Sequence, residues 1–137
     1  MSFSSPLAQW HLLRRWGLGV AAASLLAFAP ASEARESGPS EAGPVSLASL
    51  PAEARETHRT ILAGGPFEHA KDGVVFANRE GALPAHRRGY YREYTVPTPG
   101  ARDRGARRIV CGGPQARTPD TCYYTADHYN HFHRILP

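Results

Sequence analysis

Hydrophobic and polar positions change their period once along this chain. Between Ser49 and Gly65, the residues Leu50, Ala54, His58, Ile61 and Leu62 recur at about 3.6-residue spacing, the repeat of one helix face. Pro51 suits a first helical turn, and Glu53 and Glu56 complement the positive end of a helix. Gly64-Gly65 then stops it, so the pattern predicts one amphipathic helix of about three turns. Downstream the period falls to about two residues. Gly73–Phe76, Gly89–Val96, Arg107–Cys111, Cys122–Thr125 and Asn130–Ile135 are short runs rich in β-branched and aromatic residues, separated by Pro and Gly turns. Short strands joined by tight turns predict an antiparallel sheet with one N-terminal helix covering a face, an α+β domain.

Ahead of these elements the chain reads differently. Arg14-Arg15 precedes an uncharged run, Trp16–Pro30, of which about 14 residues are strongly apolar. Small residues follow, with Ser32 and Ala34, or Ala29 and Ala31, at the positions a signal peptidase reads. Residues 1–34 are therefore expected to be a secretory signal peptide, with a membrane anchor as the alternative and the paired arginines compatible with twin-arginine export. Residues 35–47 hold Glu, Ser, Gly and Pro and are expected to form a disordered lead-in; residues 48–137 form the domain. The mature protein is expected to be secreted and free of the membrane.

Charge sharpens the picture modestly. The net charge is +4, and removal of Arg14, Arg15 and Glu33 leaves 14 basic against 11 acidic residues, or +3. Arg102, Arg104, Arg107 and Arg108 crowd a Gly-rich turn, while Lys71 is the sole lysine. Arginine's planar fork takes phosphate oxygens in pairs, as an ammonium cannot. In an oxidising compartment Cys111 and Cys122 predict a disulfide at the base of a hairpin, rather than a redox-active or metal-binding thiol pair.

The strand period sets Tyr91, Glu93 and Thr95 on one face, and Tyr90, Arg92 and Tyr94 on the other. A carboxylate at Glu93, an imidazole at His128 in the turn Asp127-His128-Tyr129, and the nearby arginines match what cleavage of RNA through its own 2′-hydroxyl requires. That reaction needs a base, an acid and cations to hold the phosphate, and no metal.

Four blocks carry a resemblance: Gly73–Glu80 (GVVFANRE), Tyr91–Val96 (YREYTV), Pro99–Ile109 (PGARDRGARRI) and Tyr124–Tyr129 (YTADHY). In this order they resemble the microbial guanyl-specific ribonucleases, the barnase-like secreted bacterial enzymes, from about Ala48 to Ile135. The resemblance implies the microbial ribonuclease fold. It implies guanine-preferring cleavage of single-stranded RNA to a 2′,3′-cyclic phosphate and then a 3′-phosphate, without a cofactor. It assigns Glu93 as general base, His128 as general acid, Arg104 and Arg108 as phosphate ligands, and Tyr129 as a helper in phosphate binding. Phe76 packs beside the guanine, the Asn78 and Arg79 backbone N–H groups meet O6, and the Glu80 carboxylate accepts from N1 and N2. Partners are RNA with guanine 5′ of the cut and a barstar-like protein inhibitor; the protein is expected to be a monomer.

The sequence departs from the family pattern at Ala77, at the intra-hairpin placement of the cysteines, and at His131 and His133, which offer two further imidazoles for the acid role. Those histidines, with Asp127 and His128, also support a second reading, a metal-dependent nuclease. A third reading is a non-catalytic RNA-binding module that uses tyrosines for stacking and arginines for phosphate. It leaves unexplained a carboxylate placed where it repels phosphate.

Overall fold

A computed structural model describes residues 41–137. The expected signal peptide lies outside the described residues. Six strands form a single sheet: β1 (Glu41–Ser46), β2 (Val74–Val75), β3 (Tyr91–Thr95), β4 (Arg108–Gly112), β5 (Thr121–Thr125) and β6 (Phe132–Leu136). Their spatial order is β1-β6-β5-β4-β3-β2, with β1 parallel to β6 and the other neighbours antiparallel. The one α-helix among the described residues, α1 (Ala52–Ala63), lies before β2 in the chain.

Five of the strands stand where the alternating pattern predicts them. The sixth corrects the reading of residues 35–47 as disordered: residues 41–46 form β1, an edge strand on β6. Its Ala42 pairs with His133 and its Val45 with Ile135, and Val45 packs on the main core. A Gly-Pro pair inside so short a polar stretch hid it, because proline and glycine are tolerated at a sheet edge where they would break a central strand.

Helix α1 begins one residue after Pro51, whose fixed φ suits the entry position. It ends at Gly64 in the left-handed region, φ 84°, with Gly64 N–H donating to Ile61 O at 3.1 Å and Gly65 N–H to Thr60 O at 3.0 Å. These are the paired bonds of a Schellman cap, and glycine adopts the required backbone without a Cβ penalty. The buried face is Ala54, Thr57 and Ile61, following Leu50. Leu62, placed on that face by its spacing, is 43% exposed, and Thr57 takes a core position by donating its hydroxyl to Thr95 O at 3.3 Å.

Alternation along the central strands builds two cores. Tyr94, Ile109, Cys111, Cys122, Tyr124 and Ile135 meet Leu50, Ala54 and Ile61 of the helical side. Val110, Tyr91, Tyr123 and Phe132 point the other way and are covered by Leu83 and Phe76 from the long segment between β2 and β3. Cys111 and Cys122 are directly paired across β4 and β5, with Cα atoms 4.1 Å apart, and form the expected disulfide. It closes the 113–120 turn from the helix-covered side.

Candidate active site

The second face of the sheet is apolar at one end and polar at the other. Glu93 stands at the junction. It projects from the middle of β3 opposite Val110, and its side chain is only 13% exposed. Both carboxylate oxygens have partners: Oε1 accepts from Arg104 Nη2 at 3.1 Å, and Oε2 from the Tyr129 hydroxyl at 2.9 Å. Burial pushes the Tyr129 phenol above its usual range, and the bond to Glu93 pushes in the same direction while Arg108 opposes it. Tyr129 therefore remains a neutral donor to the carboxylate.

Arg104 is aimed by a relay that the sequence did not reveal. Its Nε donates to Thr95 Oγ1 at 2.7 Å, and that hydroxyl donates to Asp72 Oδ1 at 2.7 Å. Asp72 Oδ1 also accepts from Thr95 N–H at 2.7 Å, and Asp72 Oδ2 accepts from His69 N–H at 3.3 Å. Arg104 Nη2 lies 3.8 Å from the same Asp72, whose side chain is 5% exposed. A nearly buried carboxylate is tolerated here because donors surround it. Nothing local marks Asp72, which reads as a turn residue before β2 and reaches Thr95 only through tertiary pairing.

Of the four clustered arginines, the structure divides the work. Arg107 turns towards α1, 3.9 Å from Glu53, and Arg102 is exposed. Arg108, opposite Thr95 on β4, is 2% exposed. Its Nη1 donates to Gly105 O at 2.8 Å and to Arg107 O at 2.7 Å, and its Cζ lies 5.9 Å from the Tyr129 ring centre. Its buried Nε has no hydrogen-bond partner, and among the described residues Arg108 meets no carboxylate within salt-bridge distance. Gly105, at φ 65°, makes the turn between the two arginines; a Cβ there would stand 2.6 Å from Thr98 Oγ1.

His128 and Tyr129 sit together in the left-handed region, φ 57° and 73°. Two consecutive non-glycine residues there are costly and persist only where surroundings enforce them. Thr125, fully buried on β5, accepts from Tyr129 N–H at 3.2 Å and donates to Asp127 Oδ1 at 3.0 Å. Asp127 also accepts from His131 N–H at 3.0 Å and pairs through Oδ2 with His131 Nδ1 at 2.5 Å. These hydrogen bonds from His131 hold the Asp127 carboxyl at about 2. His128 N–H is anchored on Ala106 O at 3.1 Å, while its imidazole is exposed and tilts against the Tyr129 ring at 4.9 Å.

His131 and His133 do not join His128. The first is committed to Asp127, and the second places Nδ1 3.0 Å from Gly43 O, at the β1 edge on the helix-covered face. Among the described residues no three His, Cys, Asp or Glu side chains converge as metal ligands. The set Asp127, His128, His131 and His133 is thus split by the fold.

The segment from Phe76 to Leu83 borders the apolar end of this face. Phe76 stacks on Tyr129 at 5.4 Å and meets Phe132 edge-on at 5.9 Å. Asn78, at φ 48°, clamps the loop through both atoms of its amide: Nδ2 donates to Leu83 O at 2.8 Å and Oδ1 accepts from Leu83 N–H at 3.0 Å. Among the described residues, the backbone N–H groups of Asn78 and Arg79 meet no acceptor, and the exposed Glu80 carboxylate has no partner. The loop is thus braced from behind with its donors and one carboxylate uncommitted. A concavity of about 590 Å³ lies elsewhere, between α1 and the 66–72 segment. It reaches Asp72 and Thr95 but none of the groups expected to touch substrate, and an open polar face that binds an extended chain needs no deep cavity.

Comparison with known proteins agrees with this geometry. A family model described as ribonuclease matches residues 33–136. Guanyl-specific ribonuclease Sa3 of Kitasatospora aureofaciens is 56% identical over 93 residues, which span 68% of this chain and 63% of that relative. Guanyl-specific ribonuclease Sa of the same organism is 54% identical, and the match covers 93% of it. The solved structure of ribonuclease Sa2 in complex with mononucleotides superposes with a TM-score of 0.65 at 44% identity, covering 72% of this chain and 97% of that one. A second, of ribonuclease Sa2 with guanosine-2′-cyclophosphate, gives a TM-score of 0.63 at 43% identity. Fold, polar face and relatives converge: the chain belongs to the family of guanyl-specific ribonucleases.

Proposed function

We propose that this protein is a guanine-preferring endoribonuclease that cleaves single-stranded RNA by transphosphorylation, with Glu93 as base and His128 as acid. The observation that carries the reading is the buried Arg108 guanidinium, with an unpartnered Nε and no carboxylate of its own among the described residues, beside the Glu93 carboxylate that Arg104 and Tyr129 hold in place. A guanidinium with no anion of its own attracts a phosphate oxygen, and a charge-assisted hydrogen bond to one is about twice as strong as a neutral one. The same site would make a poor simple phosphate receptor, because Glu93 repels the anion unless it serves to take a proton.

In this reading Glu93 removes the 2′-hydroxyl proton as that oxygen attacks phosphorus. Arg104 and Arg108 hold the charge gathering on the phosphoryl oxygens. His128 protonates the departing 5′-oxygen, and the products are a 2′,3′-cyclic phosphate and a free 5′-hydroxyl. Hydrolysis runs the relay backwards: His128 takes a proton from water and Glu93 returns one to the 2′-oxygen. Guanine alone among the common bases sets N1–H and N2–H₂ donors beside the O6 acceptor. The uncommitted Glu80 carboxylate and the free N–H groups of Asn78 and Arg79 complement that edge, with Phe76 alongside. Residues 1–34 serve as an export signal in the same reading, and N-terminal sequencing of the secreted protein checks the cut after Ala34 or Ala31.

Digestion of a mixed-sequence RNA in the presence of EDTA tests the activity. Mapped 3′ ends are expected to be guanosine phosphates. Ends spread over all four bases, or loss of cleavage on chelation, would overturn it.

A further inference from the structure

Beyond the guanine loop the chain runs through Pro84-Ala85-His86-Arg87-Arg88 before entering β3. This segment is firmly seated at its base. Leu83 is held by Asn78, Pro84 O accepts from the Tyr91 hydroxyl at 2.9 Å, and Arg87 O accepts from Tyr90 N–H at 3.2 Å. Tyr90 is itself tied to the 113–120 turn, through Gly113 N–H on its carbonyl at 3.1 Å and its hydroxyl on Asp120 Oδ2 at 3.0 Å. On this base the His86 ring lies flat on Tyr90, with centres 3.7 Å apart and planes 9° from parallel, and meets Tyr91 edge-on at 5.6 Å. His86, Arg87 and Arg88 are exposed, and neither arginine has a carboxylate within salt-bridge distance among the described residues.

A rigid, exposed aromatic ring backed by a second ring and flanked by unpaired guanidinium groups is the arrangement that binds single-stranded nucleic acid without reading its sequence. Tyr91, which the His86 ring meets edge-on, and Glu93 are neighbours on one face of β3, about 7 Å apart along the strand. We infer that His86, Arg87 and Arg88 form a further nucleotide subsite, where a base of the same RNA strand stacks on His86 and its phosphates meet the arginines. The inference rests on the endoribonuclease reading above and extends it from the scissile guanosine to its neighbours on the strand. It makes the enzyme sensitive to substrate length in a way the Glu93 site alone is not.

The test compares GpC with a hexanucleotide containing one guanosine, on wild-type protein, His86→Ala, and Arg87→Ala/Arg88→Ala, with thermal melts confirming the fold of each. His86→Ala is expected to lower kcat/KM on the hexanucleotide about fivefold, the lower end of a stacking contribution, with GpC unchanged. The double arginine variant should make the slope of log kcat/KM against log salt shallower by about 1.4 on the hexanucleotide. Equal losses on both substrates, or no loss on either, would overturn the subsite. So would loss of binding to phosphatidylglycerol vesicles with hexanucleotide kinetics and salt slope intact, which would make the loop a membrane contact. If wild-type protein fails to cleave GpC at all, the ribonuclease reading itself fails; cleavage of GpC without any preference for length removes the subsite alone.

Discussion

Alternate residues of the same strands meet two different environments. On the helix-covered face, Tyr94, Ile109, Cys111, Cys122 and Tyr124 form a dry core cross-linked by a disulfide. On the opposite face, Glu93, Thr95, Arg108 and Thr125 are almost as deeply enclosed, yet polar: Arg104 bridges Thr95 and Glu93, Asp72 holds Thr95, Tyr129 holds Glu93, Arg108 donates to the Gly105 and Arg107 carbonyls, and Thr125 donates to Asp127. The first face gains stability by removing apolar area from water, roughly 1.5–3 kcal/mol for each large side chain. The polar end of the second recovers little beyond the cost of desolvating its own charges, while Tyr91, Val110, Tyr123 and Phe132 at its other end form the second core. The difference teaches that the polar chemistry keeps to one parity of strand position, and substitutions on the helix-covered parity should act on stability and spare it.

The largest effect is expected at the exposed imidazole. His128→Ala should lower kcat by about 10²–10⁴-fold, the range for loss of a general acid, while the melting temperature stays close to wild type. Retention of more than half the activity would remove His128 from the acid role. Glu80→Ala should cut the preference for GpC over ApC by a similar 10²–10⁴-fold, because two charge-assisted hydrogen bonds are lost for guanine only. If both substrates suffer equally, Glu80 merely braces its loop.

The converse holds for the covered face. Replacing Cys111 and Cys122 together by Ala should lower the unfolding free energy by roughly 3 kcal/mol, as expected for a loop of this length, and leave kcat/KM per folded molecule intact. Urea denaturation beside activity measures both, and a rate loss without destabilisation would break the division between faces.

A smaller effect sharpens it. Asp127 touches no reacting group in the proposed chemistry but orders the His128–Tyr129 turn. Asp127→Ala should reduce kcat by about tenfold with KM little changed, through misplacement of the acid. Asp127→Asn, which keeps the Oδ1 acceptor, should recover much of it; equal loss in both variants would tie the effect to charge instead. The smallest effect is one of titration. The Asp127 carboxyl is held at about 2, below its ordinary 3.8, chiefly by His131. Its contribution to stability is therefore present above the ordinary carboxylate range and is lost as pH falls towards 2. In His131→Ala the carboxyl should titrate higher by NMR, yet stay below its ordinary value, because the backbone N–H of residue 131 and the Thr125 hydroxyl still donate to it. An unmoved titration would contradict the pairing.

What was readable in advance follows from local physics. The two-residue period of YREYT was enough to place Glu93 opposite Tyr94 across the sheet, and Gly64-Gly65 ended α1 as written. Four ordered blocks identified the family because a catalytic constellation constrains residue type and spacing together. Tertiary structure alone decided the rest. The strand at 41–46 exists because β6 offers it an edge, and its own composition predicts none. Arg104 and Arg107 are chemically alike and three positions apart, yet one meets Glu93 and the other Glu53, since a turn through Gly105 sends them to different faces. Asp72 became part of the site, and His133 left it, by pairings with residues 23 and 90 positions away. Local sequence encodes backbone preference and burial within a few residues. Which distant polar groups satisfy one another is settled only when the sheet closes, because an unpaired buried charge is costly and the pairings that relieve that cost join residues far apart in the chain.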